Sequence, residues 1–203
     1  MCQARGVGST HAEGPSGERR REIHAAAIQQ FALRGIAGTS MANIAEAAGM
    51  SRPALYQYFR DKMDIFESAF VALFEEHVEL ALAALAQPGA TADRLDGFLQ
   101  RYEGDLWELM AASPHADEIL RAKNASIAAS IGGVVERLWD ELAGQLVEIV
   151  PGRSRATSER RAAWIDILRY SPKGLTFDRP SIDVYRRRLR TLAQSVAADI
   201  EAG

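Results

Sequence analysis

Between Thr39 and Phe59 the chain reads TSMANIAEAAGMSRPALYQYF, two short helical patterns on either side of Gly49-Met50-Ser51. In the first, Ile44, Ala45 and Ala48 form an inner stripe, Thr39 or Ser40 supplies a capping oxygen, and Gly49 marks the end. Ser51 caps the second. Pro53 is tolerable there because the first-turn N–H groups of a helix have no intrahelical partner. Leu55 and Phe59, four residues apart, face inward. Two short helices joined by a tight glycine-containing turn, the second polar on its outer face, read as a helix-turn-helix.

The flanking sequence supplies the rest of a small helical unit. Upstream, ERRREIHAAAIQQFALRG spaces Ile23, Ala27 and Phe31 by four, with Ile28 beside them, and stops at Gly35. Downstream, a long helix starts near Asp61, carries Ile65, Phe66, Ala69, Phe70, Leu73 and Phe74, and runs to Pro88-Gly89, long enough to bridge a head and a body. Everything after that reads as helix, broken at QPGAT, AASPH, IVPGRSRATS and YSPKGLTFDRPS, with no convincing period-2 run. The expected fold is therefore all-α: a flexible N-terminal arm over residues 1–17, a helix-turn-helix head over 18–64, and a helical body over 65–203.

Composition narrows the setting. At 203 residues and 47% hydrophobic the chain is able to build a real core. A single cysteine, Cys2, excludes an internal disulfide. There is no metal-type Cys/His spacing, which fits a reducing cytoplasmic setting. No run approaches the roughly 18 apolar residues needed to cross a bilayer, and the first twenty residues lack a signal peptide's apolar middle. Net charge is -3, but up to Asp64 there are 8 Lys/Arg against 6 Asp/Glu, and beyond it 16 against 21. A modestly basic head on an acidic body assigns any phosphate contact to the head.

In a helix-turn-helix the second helix enters the DNA major groove with its N-terminal residues at the base edges. Inward Leu55 and Phe59 leave Arg52, Tyr56, Gln57 and Tyr58 on or near the surface. Arginine pairs with guanine and glutamine with adenine, while tyrosine hydroxyls and lysine donate to phosphate. Arg5 and Arg19-Arg20-Arg21 read either as arm contacts to DNA or as solvated charge.

The segment TSMANIAEAAGMSRPALYQYFRDKMDIF resembles the DNA-binding head of TetR-type (tetracycline-repressor family) regulators. The resemblance rests on Ile44-Ala45, Ala48-Gly49, Ser51, Leu55-Tyr56, Phe59, Lys62 and Phe66 and covers about the first seventy residues; the body is similar in length and helical character. Met50 and Pro53 are tolerable departures. The resemblance implies that Ser40, Tyr56 and Lys62 hold phosphates, leaving base reading to Arg52, Gln57 and Tyr58. It also implies a transcriptional regulator, usually a repressor, bound as a homodimer to a palindromic operator in double-stranded DNA and released by a small-molecule ligand. In such proteins the body dimerises through its last two helices and encloses the ligand pocket.

The residues offer their own support for a dimer. Ile182, Tyr185, Leu189, Leu192 and Val196 form a heptad-like seam that needs something to pack against, either a second copy or the same protomer. With Trp164, Ile165 and Leu168 on the preceding helix, a four-helix contact across a two-fold axis is the expected interface. Phe98, Tyr102, Trp107 and Met110, together with Asn124, Trp139 and Trp164, read either as the lining of a site for a small apolar organic ligand or as plain core. His115 and His77 read as capping or solvated histidines rather than ligands. An enzyme would need a nucleophile with its base, a carboxylate cleft or a cofactor loop. The sequence holds no phosphate-binding glycine loop, no H-E-x-x-H and no G-x-S-x-G, and no cofactor is expected. A third class, a DNA-binding protein whose body serves only dimerisation or a protein partner, stays open.

Overall fold

The computed structural model describes residues 15–126, 128–150 and 154–202, with the side chains of residues 15, 122–129 and 156 outside that set. Among the described residues there is no strand. The expected arm falls mostly on residues 1–14, which lie outside the description, but helical structure begins at Pro15, ahead of the expected start at Glu18. Helix α1 (Pro15–Gly38) buries Ile23, Ala27 and Phe31. Its regular winding breaks at Gly35, as the sequence implies, with φ 70° and ψ 173°. That combination is essentially confined to glycine.

Helix α2 (Met41–Ala47) starts from Ser40, not Thr39. Asn43 N–H donates to Ser40 Oγ at 3.2 Å, and the Ser40 N–H donates back to Asn43 Oδ1 at 3.0 Å, closing a reciprocal cap. Thr39 is instead buried, its hydroxyl donating to the carbonyls of Gly35 at 2.6 Å and Gln30 at 3.1 Å. The turn passes through Gly49 at φ 62° into Ser51, whose hydroxyl accepts from Ala54 N–H. Helix α3 (Arg52–Tyr56) is shorter than the side-chain pattern suggests, with Gln57 as its C-cap. Phe59 is buried although it lies past the helix end, because the chain turns back toward His24 and Arg20 of α1.

Asp61 caps α4 (Lys62–Leu85), accepting from the Met63 and Asp64 N–H groups at 2.8 and 3.0 Å. One side of α4 packs on α1 and the other meets the body. The body continues with α5 (Thr91–Leu99), a π-helical turn (Gln100–Gly104), α6 (Asp105–Ala111), α7 (Ala116–Ser126), α8 (Ala128–Ile149), α9 (Arg155–Leu175) and α10 (Ile182–Glu201). The break expected over YSPKGLTFDRPS falls in its second half: the chain leaves the helix from Thr176 to Ser181 before α10, and α9 continues through Pro172 to Leu175. Proline there forfeits one ladder bond near the helix end, and the Tyr185 hydroxyl donates to the Pro172 carbonyl at 3.5 Å. One buried cluster runs from Ile23 in α1 to Ile200 in α10.

The seam of α10 faces inward. Tyr185, Leu189 and Val196 are buried within the protomer, Leu189 completely, because α10 packs along α5. Leu168 on α9 is likewise enclosed, while Ile165, Ile182 and Leu192 are half-buried. The heptad-like spacing therefore marks the stripe that holds the protomer together, and the expectation that Tyr185, Leu189, Val196 and Leu168 face a partner is corrected on that ground.

Candidate nucleic-acid interface and the cavity behind it

The exposed side of the helix-turn-helix carries Ser40, Arg52, Tyr56 and Gln57. Tyr56 is 45% exposed despite its size. Arg52 lies over the Tyr56 ring, 5.6 Å from its centroid, and donates to its hydroxyl at 3.2 Å, so one i,i+4 pair presents a cation and a phenol side by side. Gln57 follows at the C-cap and keeps its amide in solvent. Tyr58 belongs elsewhere: it is half-buried and packs on the core cluster.

Lys62 also differs from expectation. Its ammonium donates to the carbonyls of Ile36 at 2.6 Å, Thr39 at 2.9 Å and Ala37 at 3.4 Å, so it closes the end of α1 instead of pointing outward to a phosphate. The reason is local: the last carbonyls of a helix have no intrahelical donor and carry partial negative charge. A lysine at the first position of α4 reaches them.

The same corner is held from the body. Glu118 Oε1 accepts the Ala37 N–H at 2.8 Å, and the Ser113 hydroxyl donates to the Ala32 carbonyl at 2.7 Å while accepting the His115 N–H. His115 therefore stands beside α1, 3.8 Å from the Glu118 carboxylate. Neither Glu118 nor Ser113 is visible in sequence as a functional residue, because each acts on a backbone group about eighty positions away. His77 bonds the Leu73 carbonyl of its own helix at 2.7 Å.

Directly past this corner, α7 becomes a cavity wall. The cavity is about 280 Å³ and is lined by Phe70 and Phe74 of α4, Tyr102 and Glu103 of the π-helical turn, and Trp107 and Met110 of α6, with Leu120 of α7, Pro172 and Lys173 of α9 and Tyr185 of α10 closing it. A larger groove of about 840 Å³ adjoins it, sharing Trp107, Met110, Leu120 and Thr176. Of the expected lining residues, Tyr102, Trp107 and Met110 are in the wall. Phe98 and Trp139 lie behind it in edge-to-face contact, with ring centroids 5.8 Å apart. Trp164 belongs to the α9–α10 packing, its indole N–H donating to Asp199 at 2.7 Å. The side chain of Asn124 falls outside the described residues. Tyr185, expected at a dimer face, is a cavity residue.

Burial and the nearby Glu103 carboxylate both raise the Tyr102 and Tyr185 hydroxyls well above the ordinary phenol range, so both present O–H groups. No helix among the described residues is long and apolar enough to cross a membrane, and no cluster of potential metal ligands is found among them.

Fold and surface together define an all-α protein with a helix-turn-helix head docked on a helical body that contains a cavity. Residues 23–69 match the model for bacterial regulatory proteins of the tetR family. The chain is 40% identical over 67 residues to the HTH-type transcriptional regulator TtgR of Pseudomonas putida, which covers 33% of this chain and 32% of that protein. It is 34% identical over 73 residues to the HTH-type transcriptional activator FasR of Mycolicibacterium smegmatis, covering 36% and 32%. The matched segment thus spans about a third of the length of these relatives. A crystal structure described as a TetR-family transcriptional regulator from Mesorhizobium loti shares the fold with a TM-score of 0.61 at 20% identity, over 92% of this chain and 98% of that one. Over residues 23–69 the chain is thus similar to the DNA-binding head of the tetR family.

Proposed function

We propose that this chain is a transcriptional regulator that binds a palindromic operator as a homodimer and leaves it when a small apolar organic ligand occupies the cavity. The head is residues 18–64 and the body 65–203. The observation that carries the reading is the exposed Arg52–Tyr56 pair with Gln57 beside it, on the second helix of a TetR-type helix-turn-helix. Arg52 and Gln57 read base edges; Tyr56 and Ser40 hold phosphates. Tyr58 and Lys62 act through the shape of the head, Lys62 by fixing the α1–α2 corner against which the reading helix is set.

The outer faces of α9 and α10 suit the dimer contact. Ile167 and Tyr170 are exposed there, and Leu192 keeps part of its surface beside the small, exposed Thr191 and Ser195. Ile165 and Ile182 contribute only what the protomer leaves uncovered. Release follows from one connection: α7 and the turn before it hold α1 through Glu118 and Ser113, and α7 lines the cavity through Leu120, so a ligand that favours one placement of α7 biases the placement of the head.

Selection of bound sequences from random duplex DNA tests the reading. Enrichment of a two-fold symmetric site, lost in Arg52→Ala, is the expected result. Binding that is salt-sensitive but enriches no sequence would reject it.

A further inference from the structure

Within the proposed reading surface, the bond between Arg52 and Tyr56 has only one chemical direction. We infer that Tyr56 is a positioning residue for Arg52: its hydroxyl accepts from the guanidinium and donates to a DNA phosphate, which sets the arginine on a guanine. This rests on the reading of α3 as the helix that meets base edges. It makes the grip on the backbone and the choice of that base one coupled event instead of two independent contacts.

Arg52 opens α3 and Tyr56 ends it, one turn apart on the same side. The Arg52 Nη2 lies 3.2 Å from the Tyr56 hydroxyl, and the guanidinium carbon sits 5.6 Å from the ring centroid. Arginine has donors and no acceptor, so the phenol can only accept in this pair, and its own hydrogen must go elsewhere. Tyr56 is exposed, which leaves that hydrogen available to an acceptor outside the protein. Accepting from a cation also polarises the O–H and strengthens it as a donor to an anion.

Arg52 keeps what base reading requires. Its N–H donors form a pair of forks, one between the terminal nitrogens and one along the Nε side, and each Nη2 hydrogen serves a single fork. The bond to Tyr56 therefore leaves the other fork whole for the O6 and N7 of guanine. Its charge is also left to the DNA: the described partners of Arg52 are a neutral oxygen and a neutral ring. Neighbouring cations are placed otherwise, since Arg19 pairs with Glu22, Arg60 with Asp64 at 3.4 Å, and Lys62 with backbone carbonyls. A freely rotating arginine loses much rotamer freedom when it is fixed on a base. Tyr56 removes part of that loss beforehand, because ring face and hydroxyl together hold the guanidinium. Gln57 lies about 100° further round the helix, outside this pair, so its own base contact is independent.

The test uses the full chain and the symmetric site that it selects, with each guanine replaced in turn by 7-deazaguanine and each adenine by 7-deazaadenine, in which a C–H takes the place of the N7 acceptor. Fluorescence anisotropy at low salt keeps affinity measurable after one phosphate contact is lost. The wild-type chain should bind about tenfold more weakly when one particular guanine of the half-site is replaced, and Arg52→Ala should be indifferent to that replacement. Tyr56→Phe, which keeps the ring, should weaken binding to every duplex and also cut the discrimination at that guanine to about threefold or less. Its response at the remaining purines, including an adenine read by Gln57, should match the wild type, which also shows that the head is folded. A uniform loss with the tenfold discrimination intact would reduce Tyr56 to a phosphate contact and overturn the inference, while leaving Arg52 as a reader. Equal loss of discrimination at every purine would assign the effect to the packing of the head and overturn it as well. An Arg52→Ala chain as sensitive as the wild type at every guanine would reject base reading by Arg52 itself, and the inference with it.

Discussion

Replacing Gly35 with alanine should destabilise the protein through two separable effects. The backbone there, at φ 70° and ψ 173°, is a conformation that costs a side-chain-bearing residue about 1–3 kcal/mol. An added Cβ would also overlap Glu118 Oε2 and lie 2.9 Å from His115 Nδ1. Moving the Glu118 carboxylate breaks its bond to the Ala37 N–H, worth about 1 kcal/mol for a partly exposed group. The expected total is about 2–4 kcal/mol, or roughly 10 °C in melting temperature for a chain of this size. Urea titrations of Gly35→Ala, Glu118→Ala and the double variant, at one protein concentration, separate the terms. In the Glu118→Ala background the glycine substitution should cost about 1 kcal/mol less, because the carboxylate is no longer there to displace. Additive effects, or a neutral Gly35→Ala, would refute the account of this corner as a joint between head and body.

Three further outcomes are expected. Lys62→Met should lower stability by about 1–3 kcal/mol and weaken binding to every DNA sequence without changing the salt dependence, because its ammonium is held by three carbonyls; a fall of about one in the salt slope would return Lys62 to a phosphate. Leu189→Ala should cost about 2–5 kcal/mol of protomer stability in denaturant, whereas Leu192→Ala should act mainly on association in sedimentation; loss of association with unchanged melting in the Leu189 variant would contradict the inward seam. His24, packed against Phe59 and bonded to Ser68 at 2.9 Å, is held below the ordinary imidazole value by burial and then by Arg20. Its contribution to stability is full above about pH 6.5 and is lost as pH falls toward the lowered folded value, so His24→Gln should flatten the acid side of the stability profile.

The head was legible because its signals are local. Ser40, Ser51 and Asp61 cap helices within three residues of themselves, Gly35 and Gly49 supply the positive φ that the turns need, and Leu55 and Phe59 repeat at the spacing of one helical face. The heptad-like run in α10 was legible as an apolar stripe but not as to its partner, since spacing alone does not distinguish α5 of the same chain from a second copy. Lys62 shows the same gap: its charge suits a phosphate and a helix end equally, and only the position of α1 decides between them.

What the sequence by itself determined is the all-helical class, the helix-turn-helix and the exposed Arg52, Tyr56 and Gln57, because capping, turn chemistry and period are properties of neighbours along the chain. The tertiary structure alone decided the rest: that Glu118 and Ser113 hold α1, that Tyr185 lines a cavity, and that Glu103 stands in that cavity's wall. Those contacts join residues roughly eighty positions apart, and their energies depend on distance and burial that exist only once α4, α7, α9 and α10 are packed together.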